Sequence, residues 1–375
     1  MVEVLSDILP DEAQKGRGAV SNATGRFERH ARLRVDDGWS HPSNDDWQRA
    51  CEAMAPKLRT TVTDERPKAV ITRNNSPDVP FDRSLNAYRG CEHGCVYCFA
   101  RPTHAYQGLS PGLDFESRLF AKPDAAKILE AQLRKPGYRP GTLAMGTNTD
   151  PYQPIERQRE ITRAVLQVLD AFNHPTAIVT KSDLILRDLD ILAPMAERGL
   201  VSVGISITTL DRALARRMEP RAATPTKRLK AVEALANVGV PVSVMVAPVV
   251  PAINDHEIEN ILAAASGAGA SGADYILLRL PGEVKELFSE WLAAHYPERA
   301  SKALAQIASH HGGRLYDSTW GRRMRGDGAY AAMLAKRFAI ACRQLGLDQK
   351  AARARRHRTD LFQPPPKAGD QLSLF

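Results

Sequence analysis

Three of the chain's five cysteines fall in one short stretch, Arg89-Gly90-Cys91-Glu92-His93-Gly94-Cys95-Val96-Tyr97-Cys98-Phe99-Ala100-Arg101. Three residues separate the first pair and two the second. Thiolates at this spacing, with Gly90 and Gly94 letting the backbone wrap closely, can converge on one inorganic centre. Soft sulfur ligands select an iron–sulfur cluster or zinc. In a cubane of four irons, three cysteines leave the fourth iron open, which suits a cluster that must bind a substrate directly. The alternative is a structural zinc site made of Cys91, Cys95 and Cys98 with His93 or His104 as fourth ligand. A redox pair has no use for a third cysteine.

The C-x3-C-x2-C spacing, with Tyr97 just before the last cysteine, resembles the radical S-adenosylmethionine (radical SAM) signature. The wider stretch from Tyr88 to Arg101 is similar to the spore photoproduct lyase-like branch, also described as DNA repair photolyase-like. The resemblance implies a [4Fe-4S] cluster on Cys91, Cys95 and Cys98, with S-adenosyl-L-methionine chelated through its amino and carboxylate groups by the open iron. It further implies that an electron, from a donor such as flavodoxin or ferredoxin, cleaves the sulfonium to a 5′-deoxyadenosyl radical that abstracts hydrogen. Spore photoproduct lyases return hydrogen with a cysteine, and no cysteine here lies between the cluster and the end of the last core strand. Thymine-dimer repair is therefore not carried over.

These residues need a scaffold, and 375 residues suffice for one large domain with appendages or for two domains. Five cysteines, three of them clustered, are no disulfide framework. No charged-then-apolar leader opens the sequence, and no apolar run approaches the roughly twenty residues that span a bilayer. A reducing, cytoplasmic location without membrane contact is expected. The net charge of +8 favours anionic partners.

Residues 1–80 lack sustained periodicity and read as an arm, with a helix near 45–54 and with Phe27, Trp39, Trp47 and Phe81 packing part of it on the body. From Ser84 short apolar runs alternate with amphipathic stretches. Strands are expected near 84–88, 142–146, 176–180, 200–206, 241–246 and 273–278, and helices near 123–134, 156–171, 184–197, 224–237 and 256–265. Such alternation implies an α/β fold with parallel strands and right-handed crossovers. The family resemblance selects a partial (β/α)6 barrel over residues 81–282. The cysteine loop then follows the first strand, at the carboxyl ends where reactive groups belong.

Other strand ends carry the remaining candidates. Gly146-Thr147-Asn148-Thr149-Asp150-Pro151-Tyr152-Gln153-Pro154 is too long and polar for a simple turn, although Thr149 or Asp150 would also serve as a helix cap. In the family the corresponding loop binds the methionine amino group. Lys181 ends the third strand, where it would pair with the methionine carboxylate or simply face solvent. The fourth strand puts Ser202, Gly204 and Ser206 on one face, leaving room for a ligand. Ser206 matches the family's ribose-contacting position. Glu219 and Arg221, in Met218-Glu219-Pro220-Arg221, match a charged pair that approaches the cofactor, or form a surface turn. The rigid loop Ala247 to Asp255 suits a wall against adenine, with Asn254 as a cofactor contact or a helix cap. Arg279, at the end of the sixth strand, is placed to meet an anionic substrate.

Residues 283–348 read as mainly helical, with two helices broken at Pro297, a short strand at 314–317 and a last helix to Leu345. Between them the Arg- and Gly-rich run from Trp320 to Tyr330 suits a phosphate- or base-contacting loop, or a structural one. Cys342 reads as core. Residues 349–375 form a basic, Pro-rich tail ending in Gln371-Leu372-Ser373-Leu374-Phe375. That peptide looks like those by which bacterial polymerases and repair proteins bind the sliding clamp, with Leu372, Leu374 and Phe375 in an apolar pocket and Gln371 as anchor. A nucleic-acid substrate is the leading expectation, RNA or peptide modification the second, and a non-catalytic metal-bound module the third.

Overall fold

A computed structural model describes residues 13–31, 58–347 and 357–366. The expected helix near 45–54, Trp39, Trp47, Cys51 and the peptide 371–375 lie outside the described residues.

Ten strands are numbered here in chain order: β1 Thr61–Asp64, β2 Ile71–Arg73, β3 Arg83–Leu85, β4 Tyr88–Arg89, β5 Arg118–Ala121, β6 Leu143–Met145, β7 Thr176–Thr180, β8 Val201–Ser206, β9 Val242–Val249 and β10 Gly272–Leu277. Seven of them make one sheet in the order β10-β9-β8-β7-β6-β3-β2. Every neighbouring pair from β3 to β10 is parallel, and β2 joins antiparallel to β3. The two end strands, β2 and β10, do not pair, so the sheet is a partial barrel open on one side. Its six parallel strands are the six that alternation in the sequence predicts.

The alternation explains the packing. In β8 and β9 the residues Val201, Val203, Ile205, Val242, Val244 and Val246 are buried, and they join Val165, Leu169, Val232, Leu235, Ile261 and Leu262 from the covering helices in one core. Each fully buried aliphatic side chain contributes roughly 1.5–3 kcal/mol. Ser202, Gly204 and Ser243, on the other face, are only partly buried.

Three differences from the sequence reading have physical causes. The strand expected at 84–88 breaks in two: Tyr88 and Arg89 leave the main sheet to pair with β5 in a separate sheet ordered β1-β5-β4. The break is held by Lys122, which donates to the Asn86 carbonyl (2.8 Å) through Nζ and to the Ala87 carbonyl (3.0 Å) through its backbone N–H. The helix expected at 156–171 is interrupted at Glu160, whose φ is +49°. The kink lets the Glu156 carboxylate accept from the Thr162 amide (3.0 Å), capping the second piece. No strand forms at 314–317; instead the Met324 carbonyl accepts from the Leu277 amide (2.9 Å), covering the exposed edge of β10.

The arm is woven into the body, since β1 and β2 belong to the two sheets. Residues 357–366, within the basic, Pro-rich tail, strap the amino ends of the strands. His357 bridges the Thr142 and Ser202 hydroxyls at 3.1 and 3.0 Å, and Phe362 packs among Tyr138, Phe172 and His174. The two helices divided at Pro297, Val284–His295 and Pro297–His310, form as expected.

Candidate functional site

The cysteine loop follows β4 and is gripped from three directions. Underneath, Arg101 and Glu116 form an ion pair with neither side chain exposed to solvent, 2.5 Å apart. Arg101 also donates to the carbonyls of Cys95 (2.9 Å) and Gly94 (3.2 Å), fixing the loop's path. Glu116 accepts from the amides of Gly18 (3.0 Å) and Ala19 (2.8 Å), which draws the N-terminal arm across the loop. A Cβ on Gly18 would sit 1.8 Å from the Gly94 carbonyl oxygen, so no side chain fits there. Gly94 itself has φ +67°, a conformation glycine adopts without strain.

On the second side the loop after β6 closes over the first turn. Thr149 donates to the Gly90 carbonyl (2.6 Å), and Gln153 accepts from the Glu92 amide (2.9 Å). Asp150 lies 3.3 Å from His93 Nδ1 and accepts from the Thr180 hydroxyl (2.6 Å) and the Lys181 amide (2.8 Å). Burial opposes its ionisation, but His93 and these donors pull its pKa down to about 2. Thr147 and the Asn148 amide bond to Asn86, 2.9 and 3.0 Å away.

On the third side, the segment after a short helix, Arg212–Met218, pairs with the loop's backbone. Val96 donates to the Met218 carbonyl (3.1 Å) and Arg221 to the His93 carbonyl (3.2 Å). The Arg221 guanidinium reaches Glu92 at 3.2 Å. Val96, fully buried, anchors the loop in a second apolar cluster with Leu214, Val250, Leu278, Phe288 and Trp291.

Beside Cys95 lies a buried polar knot. Glu219 accepts from Thr208 (2.6 Å), Tyr97 and Arg228. Lys181 lies over the Tyr97 ring, 5.7 Å from its centroid. Burial alone would keep Glu219 protonated, yet Arg228 and Lys181 lower its pKa to about 2. Lys181 is held cationic in turn: burial disfavours its charge, and the Cys95 sulfur and Glu219 raise its pKa above the ordinary value. Cys95 is pushed up to about 12 by burial, and Cys91 is raised well above the ordinary thiol by the same cause. Ligation would take both thiol protons.

The expected cofactor residues are thus brought to one end of the barrel, with different degrees of commitment. Thr149, Asp150, Glu219 and Tyr97 spend polar atoms on the loop or on each other, and Ser206 donates to the Ala247 carbonyl (3.1 Å). Asn254 uses its whole amide on backbone, accepting from Val250 (2.6 Å) and donating to Thr208 (2.8 Å) and Pro248 (3.0 Å). It shapes the wall after β9. Lys181 lies over the Tyr97 ring, and Arg221 is partly exposed beside Glu92. Sequence reasoning missed Glu116, Arg101, Gln153, Thr208 and Arg228, whose partners are remote in the chain. No local signal marks them.

The donor set fits a cluster. Three thiols share one tightly held loop, and two of them are buried in apolar surroundings. His104, a candidate zinc ligand, is bound to the Arg118 carbonyl (3.0 Å), and His93 to Asp150. Among the described residues no three His, Cys, Asp or Glu side chains are grouped to hold a single metal ion. A cubane, with one thiolate per iron, does not require such a group.

Comparison with known proteins agrees. Residues 85–265 match the Radical SAM superfamily. An uncharacterized protein of Mycobacterium tuberculosis is 39% identical over 230 residues, which is 61% of this chain and 68% of that protein. The chain belongs to the radical SAM superfamily. Radical SAM enzymes use a [4Fe-4S] cluster and S-adenosylmethionine, the cofactors that the three-cysteine loop implies. An uncharacterized protein of Methanocaldococcus jannaschii is 28% identical over 46% of this radical SAM chain and 62% of its own. In fold this chain is similar to spore photoproduct lyase complexed with dinucleoside spore photoproduct, with TM-score 0.54, 15% identity, and coverage of 77% of this chain and 82% of that one. A double mutant of the same lyase with bound AdoMet and dinucleoside spore photoproduct gives TM-score 0.53 at 15% identity. Among the described residues, no helix of this radical SAM enzyme is long and apolar enough to cross a membrane.

The knot around Glu219 has a pH signature. Its pKa is about 2 in the fold against an ordinary 4.5, so the stability it contributes is complete above about pH 5 and is lost as pH falls through 4.5 toward 2. The expected contribution is on the order of 3 kcal/mol. Denaturant unfolding at pH 6 and pH 3 checks this: Glu219→Gln should lose less stability between the two pH values than the parent. An equal loss would remove Glu219 from the acid response.

Proposed function

We propose that this radical SAM enzyme abstracts hydrogen from a nucleic-acid substrate, in a repair or modification reaction. The reading rests on the cysteine loop lying at the carboxyl end of an open-sided barrel whose fold resembles that of a lyase solved with a dinucleoside lesion. The net charge of +8 supports it.

Cys91, Cys95 and Cys98 would hold the [4Fe-4S] cluster, with S-adenosylmethionine bound beside it. When bound, the two cofactors would supply the hydrogen-abstracting radical, the electron coming from an external donor such as flavodoxin or ferredoxin. The chain's own residues bind and orient. Lys181, kept cationic by Glu219, pairs with the methionine carboxylate as a point charge. The loop of Thr147, Asn148, Thr149 and Asp150 would receive the methionine amino group, with Arg221 at the same end of the site. Ser206 would contact the ribose, and the Pro-rich wall held by Asn254 would receive the adenine. The buried Tyr97–Glu219–Arg228 knot keeps these groups in register without water.

Cys342 is buried in the helix Gly328–Gln344 and belongs to the main core, so it does not serve as a hydrogen donor at the mouth. The test is anaerobic turnover with S-adenosylmethionine and either DNA or RNA oligonucleotides or peptides. Oligonucleotides should raise 5′-deoxyadenosine formation; stimulation by peptides alone would overturn the substrate class.

The terminal peptide extends the reading to a partner. Gln371, Leu372, Leu374 and Phe375 engage the apolar pocket of a bacterial sliding clamp, bringing the enzyme to DNA. Deleting residues 371–375 should reduce clamp affinity at least about ten-fold, the scale of losing one or two anchor side chains. Surface plasmon resonance on immobilised clamp checks it, and unchanged affinity removes the partner.

A further inference from the structure

The exposed large aromatics among the described residues are Phe27, Phe99, Tyr106 and Trp320, and three sit against an arginine. Phe99 follows Cys98 directly and is 44% exposed. The Arg279 guanidinium, from the chain just beyond β10, covers one face of the Phe99 ring at 4.2 Å from its centroid. Arg279 makes no ion pair or hydrogen bond among the described residues, so its guanidinium fork is free to take a ligand's oxygens. Cys98, Tyr316, Arg323 and Asp78 lie within electrostatic reach of it.

One further aromatic–arginine step lies on an adjoining segment, and an exposed tryptophan on another. Phe27 and Tyr106 pack with ring centroids 5.3 Å apart, with Arg26 over both. Arg26 also pairs with Glu283 (2.6 Å), next to Gly282, where a Cβ would meet Pro102 at 3.5 Å. Beyond Arg279, the Arg-rich loop ties β10 to the segment after β2. Met324 pairs with Leu277, and Gly321 and Arg323 bind Asp78, the amide of Gly321 at 2.7 Å. The loop thus bridges the barrel's open side and carries Trp320, 55% exposed.

We propose that Phe99 and Arg279 hold an unpaired nucleotide of the substrate beside the cluster loop, as the central step of a single-strand nucleic-acid track running between Phe27–Tyr106 and Trp320. Phe99 offers its free face to a base, and the Arg279 fork takes the adjoining phosphate. Aromatic platforms interleaved with cations match stacked bases joined by phosphates. This assignment rests on the nucleic-acid reading above and adds its residues and strandedness.

The test is fluorescence anisotropy on the cluster-loaded full chain, with labelled single strands of DNA or RNA about 12 nucleotides long and the matching duplexes. The parent should bind single strands more tightly than duplexes. Phe99→Ala should weaken single-strand binding about ten-fold with the salt slope unchanged, the range of a lost stacking platform. Arg279→Gln should weaken it similarly and reduce the salt slope by about one. Because Phe99→Ala neighbours Cys98, only variants with parental iron content are compared, and Arg279→Gln, on another strand, keeps the test open. Parental affinity in Arg279→Gln overturns this inference alone. A parent that binds no oligonucleotide, or binds polypeptide instead, overturns the nucleic-acid reading with it; preference between DNA and RNA assigns the source.

Discussion

Replacing Cys95 by alanine is expected to abolish both iron binding and 5′-deoxyadenosine formation while leaving the chain folded. Each thiolate serves a different iron in the proposed cubane, so no neighbour can substitute for the lost one. The fold should survive because Cys95 sits in an apolar cluster with Val96, Leu214 and Trp291, where a methyl group is tolerated at the cost of a small cavity. His104→Gln should behave oppositely. Its imidazole, neutral with a pKa lowered by burial to about 4, is bound to the Arg118 carbonyl and has no ligand role. Iron content, 5′-deoxyadenosine yield and circular dichroism on the two variants check the pair. Loss of metal in His104→Gln with retention in Cys95→Ala would contradict the ligand set.

Glu116→Ala is expected to be the most damaging substitution outside the cysteines. It strands the Arg101 guanidinium with no solvent exposure, and breaking such a buried pair costs about 3–5 kcal/mol. It also orphans the amides of Gly18 and Ala19, at roughly 1–3 kcal/mol for each one left unsatisfied. The arm then leaves the cysteine loop, so iron retention should fall together with stability. By contrast Arg73→Ala breaks only the exposed 3.2 Å pair with Asp82 and should change stability by no more than about 1 kcal/mol. Denaturant unfolding with iron analysis across the variants measures both effects. A Glu116→Ala protein as stable as the parent would show that the arm does not brace the loop.

The contrast between these residues explains what could be read from sequence. The six parallel strands were legible because burial on the helix-facing side leaves Val, Ile and Leu at period two, as in Val201, Val203 and Ile205. The cysteines were legible because their chemistry depends on local spacing. Lys181 could be placed at the end of its strand from order alone, whereas Glu219 and Arg221, which follow the helix Arg212–Met218, were marked only by the family resemblance. Glu116 could not, since its partners, Gly18 and Arg101, lie 98 and 15 residues away, and an acidic residue in Leu113–Ser117 reads as a surface position. The split of the first strand was hidden for the same reason. Lys122, which holds it, is 36 residues from Asn86. The strap at 357–366 was not legible in the basic, Pro-rich tail because its anchor, Phe362, works only through aromatic rings gathered from elsewhere.

The central claim is that Cys91, Cys95 and Cys98 grip a cubane by three corners. The most direct measurement is metal and sulfide analysis of the chain purified without oxygen, joined to low-temperature electron paramagnetic resonance after reduction, with and without S-adenosylmethionine. About four irons and four sulfides per chain are expected, with a spectrum that changes when S-adenosylmethionine binds. Stoichiometric zinc without sulfide, or an iron spectrum indifferent to S-adenosylmethionine, would contradict it.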